Sequence, residues 1–288
     1  MTSDAPLAMQ QQFDRHAQNW YLFGSPLRPR AEDMRLMQSC FGKWHSAYRP
    51  TQSTVPLKAL LLGVTPEIAT QDWGVPVDLT ALDISQAMIT TVWPGDTPTR
   101  RALCADWQEM PVAGHDFDML LGDGIFTLLD YPAGYASLAQ AIQRCLKYDG
   151  LFMMRAFCRP VTAESLTSIF DDLWNKRIGS FHAFKWRLAM AIHGDDIRRG
   201  VAVAKIWETY HANVSGHERL AQATGWPVEV IATIDAYRDS TAVYTFPNVD
   251  ELIDYTAPYL TCTSQGTDQG AGRYELAERC PLLCFRPR

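Results

Sequence analysis

The chain has 288 residues, 47% of them apolar, and a formal net charge of −6. That length accommodates one large domain or a domain with a sizeable insertion. The acidic balance argues against a general attraction to nucleic acid or acidic membranes, and neither is expected as a partner. Seven scattered cysteines without a C-x-x-C pair argue against a zinc ribbon or a thioredoxin-like centre, so no metal is expected and free thiols in a reducing cytoplasm are. The opening residues lack a basic start followed by an apolar core, the pattern of a signal peptide. No apolar run approaches the roughly 20 residues that span a bilayer.

Residues 9–49 read as aromatic-rich helices, broken by the two prolines of "GSPLRPR" (24–30). "LKALLLG" (57–63) is a buried strand with a glycine stop, and "PEIATQDWG" (66–74) a brief helix closed by Gly74. A second strand ends at Asp83, and Ser85 N-caps the helix after it. "RRALCADW" is a third strand ending at Asp106, and "FDMLLGDG" (117–124) a fourth. An amphipathic helix then runs to Gly150 as its stop, followed by a fifth strand at 151–157. This alternation predicts a doubly wound, mostly parallel α/β sheet that binds ligands outside the carboxyl ends of its strands. Residues 161–240 carry only helical patterns. Two strands, "TAVYTF" (241–246) and "CPLLCFRP" (280–287), follow, separated by a helix and the polar loop 263–273. The expected organisation is a helical lid over 1–50, an α/β core over 51–160, a helical cap inserted over 161–240, and a closing antiparallel strand pair over 241–288.

The strand ends carry the chemistry. Gly63 allows a tight turn and close approach of a ligand to the backbone. Thr65 as N-cap, Pro66 at the first helical position and Glu67 in the first turn make a coherent helix start whatever they bind. Asp83, 20 residues after Gly63, can accept the two hydroxyls of a ribose. Asp106 and the flat ring of Trp107 suit the edge and face of an adenine. A dinucleotide would place its pyrophosphate on the first helix N-terminus, where Glu67 is unwelcome and the spacing G-x-G-x-x-G is missing. A sulfonium ligand has no phosphate and tolerates that carboxylate.

This order of motifs resembles the class I S-adenosylmethionine-dependent methyltransferases over residues 57–157: "LLLGVTPE", "LDIS", "CADWQEMP", "FDMLLGDG" and "LKYDGLFMMRAF". "FDRHAQNW" (13–20) is similar to the F-D-x-x-A-x-x-W segment that precedes the sheet in many small-molecule members. The resemblance implies a Rossmann-like sheet of seven strands, the last antiparallel, and S-adenosylmethionine as cofactor. It implies that Gly63, Val64, Thr65 and Glu67 line the methionine part and Asp83 takes the ribose. Ile84 and Met88 would lie against the adenine, Asp106 and Trp107 would hold its edge, and Gly122 and Asp123 would face the sulfonium and the acceptor. The family's G-x-G-x-G core is reduced here to Gly63, which leaves open a non-catalytic relative that binds cofactor only. A nicotinamide-dependent oxidoreductase, which Asp83 alone would fit, is the third reading. The D/N-P-P-Y/F/W segment of adenine and cytosine N-methylases is absent at 121–125.

The implied reaction is an in-line displacement in which alignment supplies much of the rate. Asp123 and His16 are candidate bases, with Tyr21 a lesser one. Trp20 and Tyr21 are candidate substrate-binding aromatics, and Arg28 a partner for a ligand carboxylate. Phe181, Phe184, Trp186, Trp207 and Tyr210 in the helical block suggest a closed pocket for a small molecule. Lys185, Arg187, Arg198 and Arg199 either face an acidic substrate or form a solvated helix face.

Overall fold

The computed structural model describes residues 5–49, 55–110, 114–266 and 274–288. The chain opens with α1 (Ala5–Ala17) and α2 (Ala31–Tyr48). It continues through β1 (Leu57–Leu62), α3 (Pro66–Ala69), β2 (Val77–Asp83), α4 (Gln86–Thr91), β3 (Arg100–Cys104), β4 (Phe117–Asp123), α5 (Ala133–Cys145) and β5 (Leu146–Arg155). The segment 161–240, called the cap below, holds α6 (Leu166–Trp174), α7 (Phe181–His193), α8 (Val203–Asn213), α9 (His217–Thr224) and α10 (Val228–Ala232), and, where only helix was expected, the short strand β6 (Val201–Ala202). The chain then runs through β7 (Val243–Tyr244), α11 (Val249–Thr256), β8 (Leu260–Gly266) and β9 (Leu282–Pro287).

The main sheet has seven strands in the order β3-β2-β1-β4-β5-β9-β8. β1 to β5 pair in parallel, and β9 is antiparallel to both its neighbours. The central strand β1 reads LKALLL because both sheet faces are covered; every residue but Lys58 is buried. Met37, Phe41 and Trp44 of α2 pack on one face with Ile68 and Met88, while Leu138 and Ile142 of α5 and Leu252 of α11 pack on the other. A third apolar core forms around Phe181, Phe184, Tyr210 and Ile234 of the cap, and Ala8 and Met9 of α1, Phe157 and Tyr274 join it. Among the described residues no helix is long and apolar enough to cross a membrane.

Several elements differ from expectation. α5 stops at Cys145, and Gly150 lies inside β5. The ladder skips from Phe117↔Leu146 to Met119↔Leu151, so residues 147–150 bulge out. A Cβ on Gly150 would come within 2.8 Å of the Lys147 carbonyl, so this tight bulge, and not a helix end, needs the glycine. β3 ends at Cys104, and Asp106 stands in the following turn, where its Oδ1 accepts the Gln108 N–H at 2.8 Å. The segment 241–246 does not join the main sheet. Its Val243–Tyr244 pairs with Val201–Ala202, and Thr245 is tied by its N–H and hydroxyl to the carbonyls of Thr127, Phe126 and Leu129. The partner of β9 is β8, drawn from what reads as polar loop; as an edge strand it exposes its polar side chains. The rest of that loop, 267–273, lies outside the described residues.

Candidate functional site

A cavity of about 580 Å³ opens beyond the carboxyl ends of β1, β2 and β4. Its floor is the Leu62–Thr65 turn, Asp83, Ile84 and Met88, Asp106 and Trp107, and Asp123 and Gly124. Met9, Phe13 and His16 of α1 roof it, with Trp20 and Phe23 beyond, and the cap contributes Trp186, Tyr237 and Tyr244.

The β1 turn follows from its sequence. Gly63 has φ +96°, a conformation that side chains resist, and its N–H donates to the Leu82 carbonyl at 2.7 Å. The Trp107 indole N–H donates to that same carbonyl at 2.7 Å, which fixes the ring beneath Gly63. A Cβ on Gly63 would lie 3.8 Å from this ring. Thr65 occupies the N-cap position, but its side chain makes no capping hydrogen bond, and α3 is only four residues long.

Asp83 is buried at the end of β2, where its Oδ1 accepts the Ser85 N–H at 2.8 Å. Burial, with the nearby Asp14 carboxylate adding to it, pushes its pKa up to about 7 despite that hydrogen bond. The Ser85 hydroxyl caps α4 at the Met88 N–H and donates to Asp14 on α1 at 2.6 Å, joining roof to floor. Ile84, Met88 and Trp107 give flat or apolar walls between Asp83 and Asp106. Five acidic residues line the cavity (Asp83, Asp106, Glu109, Asp123 and Asp130), and among the described residues no lysine or arginine does.

Other expected residues are placed differently. Arg28 and Glu67 do not line the cavity; they bond each other, with Nη2–Oε1 at 2.6 Å and Nε–Oε1 at 2.9 Å. Neither is left to meet a ligand charge alone. Gly122 lies in β4 beneath the cavity and does not line it; a Cβ there would meet Ile125 at 3.0 Å. Tyr21 is 76% exposed and does not line the cavity, whereas Trp20 does.

Asp123 lines the cavity, but Arg155 grips both of its oxygens, at 2.6 and 2.9 Å. Burial pushes this carboxyl up and the guanidinium pulls it down; burial also opposes the charge on Arg155, which the Asp123 carboxylate nonetheless holds well above its ordinary value. The pair is closed, with further bonds from Arg155 to the Pro26 carbonyl and the Tyr274 hydroxyl. Asp123 is therefore a structural anchor at the cavity wall and not a free base. His16 is buried beneath Phe13, Phe23 and Tyr237, and burial, then the charge of Lys185, lowers its pKa to about 3. It is a neutral ring bonded to Gln12 at 2.9 Å, and a weak base.

The sequence gives no sign that Asp123 has a partner, although an arginine closing the apolar strand "LFMMR" is a clue that a buried carboxylate waits for it. Nor does residue spacing reveal the group His211, His217 and Asp235, whose donor atoms lie within 4.8 Å of one another in the cap. Asp235 there already accepts the Trp207 indole N–H at 2.9 Å and lies 3.9 Å from Arg238.

No family model matches the sequence, and no curated protein does. Solved structures match in fold. A Rhodobacter sphaeroides protein provisionally described as a Zn-dependent alcohol dehydrogenase superposes with a TM-score of 0.62 at 11% identity, covering 100% of both chains. A DhpI complex with S-adenosylhomocysteine gives 0.49 at 12% identity over 99% of this chain and 98% of that one. The N-methyltransferase NodS of Bradyrhizobium japonicum, in complex with S-adenosylhomocysteine, gives 0.46 at 11% identity over 95% and 98%. In strand order and in its one antiparallel strand, the sheet has the class I methyltransferase arrangement that the sequence resemblance implies.

Proposed function

We propose that the protein transfers a methyl group from S-adenosylmethionine to a small-molecule acceptor bound under the cap. The observation that carries this reading is the charge of the cavity: strand-end carboxylates and apolar walls, with no basic lining group among the described residues. A nicotinamide dinucleotide brings a pyrophosphate that this lining does not neutralise, and the four residues of α3 make a poor anion site. A ligand with a ribose, an adenine and positive charge on sulfur and nitrogen suits the same surface.

S-adenosylmethionine would supply a methyl group already activated on sulfur. Asp83 would accept the ribose hydroxyls, Ile84, Met88 and Trp107 would enclose the adenine, and Asp106 would take its amino edge. Gly63 brings backbone close to the methionine part. The roof and cap exclude water and align the acceptor, the contribution expected to dominate when the donor is activated. Asp123 is held by Arg155 and His16 is a weak base, so alignment supports this reading better than deprotonation by either.

Calorimetric titration with S-adenosylmethionine, S-adenosylhomocysteine and NADH tests it. Micromolar binding of the first two and none of the third is expected. Binding of NADH alone would replace methyl transfer with the oxidoreductase reading.

A further inference from the structure

Lys185 lies on α7 and is fully buried. Its Nζ makes no hydrogen bond. It sits 4.8 Å from the centroid of the Phe23 ring and 4.9 Å from that of Tyr237, two rings that wall the cavity at its cap end. Beside them is His16, whose Nδ1 is buried without a partner while Gln12 bonds the other ring nitrogen. The remaining nearby histidine, His182, stacks on Phe23 and is bonded through Nε2 to the Leu22 carbonyl. Among the described residues no carboxylate pairs with Lys185. Burial alone draws its pKa down to about 7, so the amine stands ready to take a proton when a counter-charge arrives.

Two other basic side chains of the block have partners of their own: Arg187 is bonded to Glu164 and Asp172, and Arg198 to Asp196. Lys185 is thus a buried amine without an anion; it does not line the cavity but lies against the Phe23 and Tyr237 rings that wall one end of it, while the other end is acidic. A fold keeps such a group at a cost unless a ligand compensates it. The aromatic rings that line this end of the cavity (Phe23, Trp186, Tyr237 and Tyr244) offer flat apolar surface to the body of that ligand, and the Trp186 indole N–H there is buried without a partner.

We infer that the cap end of the cavity is an anion subsite: the methyl acceptor is a carboxylic acid with an aromatic or apolar body, Lys185, seated behind the Phe23 and Tyr237 rings, is its counter-charge, and His16 Nδ1 is a neighbouring donor. This inference rests on the methyl-transfer reading only in naming the ligand as the acceptor. Its chemistry, recognition of a carboxylate, is separable.

The test uses matched probes, benzoate against benzamide and indole-3-acetate against indole-3-acetamide, titrated into the full chain with and without saturating S-adenosylhomocysteine. Wild-type protein is expected to bind the carboxylates tighter than the amides by on the order of tenfold. Lys185→Met, which keeps the length and removes the charge, should erase that preference while S-adenosylhomocysteine binds as before. Equal affinity for acid and amide, no binding of either acid, or a preference that survives in Lys185→Met overturns the inference. The wild-type comparison needs no variant, so a misfolded mutant does not rescue it. Failure of S-adenosylhomocysteine to bind would sink the cofactor reading alone, because the carboxylate preference is read independently in its absence.

Discussion

Asp83 carries two expectations. Replacement by Ala should weaken binding of S-adenosylhomocysteine at about pH 8, where the carboxylate is ionised, by about 1.5–3 kcal/mol, the loss typical of hydrogen bonds to a charged group; unchanged affinity in a folded variant would remove the ribose assignment. The second concerns pH. The folded-state pKa, about 7, lies above the ordinary 3.8, so the folded protein holds a proton that the unfolded chain has released. The stability tied to that proton is full below the lower value and lost as pH rises through the upper one. Asp83→Asn, neutral throughout, should therefore gain stability relative to wild type as pH rises from about 4 to about 7, measured by thermal melts. Asp83 is legible in the sequence because a strand end fixes where a side chain goes once the strand is recognised, whereas Asp106 and Trp107 reach the cavity from the turn after β3. Arg28 and Glu67 are not legible, because their pairing is made by a loop folding back on the β1 turn, and only geometry shows that each cancels the other.

At the level of elements, β4 and β5 are tied at their carboxyl ends by the Asp123–Arg155 pair, with Tyr274 bridging Arg155 to Asp33 on α2. Removing one partner of a buried ion pair strands the other, so Arg155→Ala should cost about 3–5 kcal/mol of unfolding free energy, read by denaturant titration. Gly124, at φ +64°, makes the turn after β4, and a Cβ there would fall 2.2 Å from the Phe157 ring. Gly124→Ala should destabilise by about 2 kcal/mol or more and shift the Phe157 wall of the cavity, seen as weaker ligand binding alongside a lower melting temperature. Strands β1, β2 and β4 could be read from their apolar runs. The extent of β5 could not, because "LKYDG" continues the helical pattern of α5 and only the ladder with β4 shows the break at Cys145.

Across the whole molecule, the sheet supplies the floor of the cavity, α1 its roof and the cap its far wall, so a ligand there touches parts of the chain that are remote in sequence. S-adenosylhomocysteine at about a hundred times its dissociation constant should raise the melting temperature by roughly 5 °C. No shift would argue that these parts do not close on this ligand. The parallel half of the architecture was legible because strand and helix alternate visibly. The antiparallel closure was misplaced at 241–246, since "TAVYTF" has stronger strand character than the polar residues that form β8. Edge position, which no local pattern encodes, decides that outcome.

The placement of β9 has a consequence for how the protein is made. β5 finds its second neighbour only when residues 282–287 have been synthesised, after the cap, β7, α11 and β8. Until then Phe152, Met153 and Met154 stand on a bare strand edge, an apolar template open to any other chain. Chains cut short before β9 should accordingly collect as aggregates while the full chain stays dispersed, and the window between emergence of β5 and arrival of β9 is where a holding chaperone would matter most.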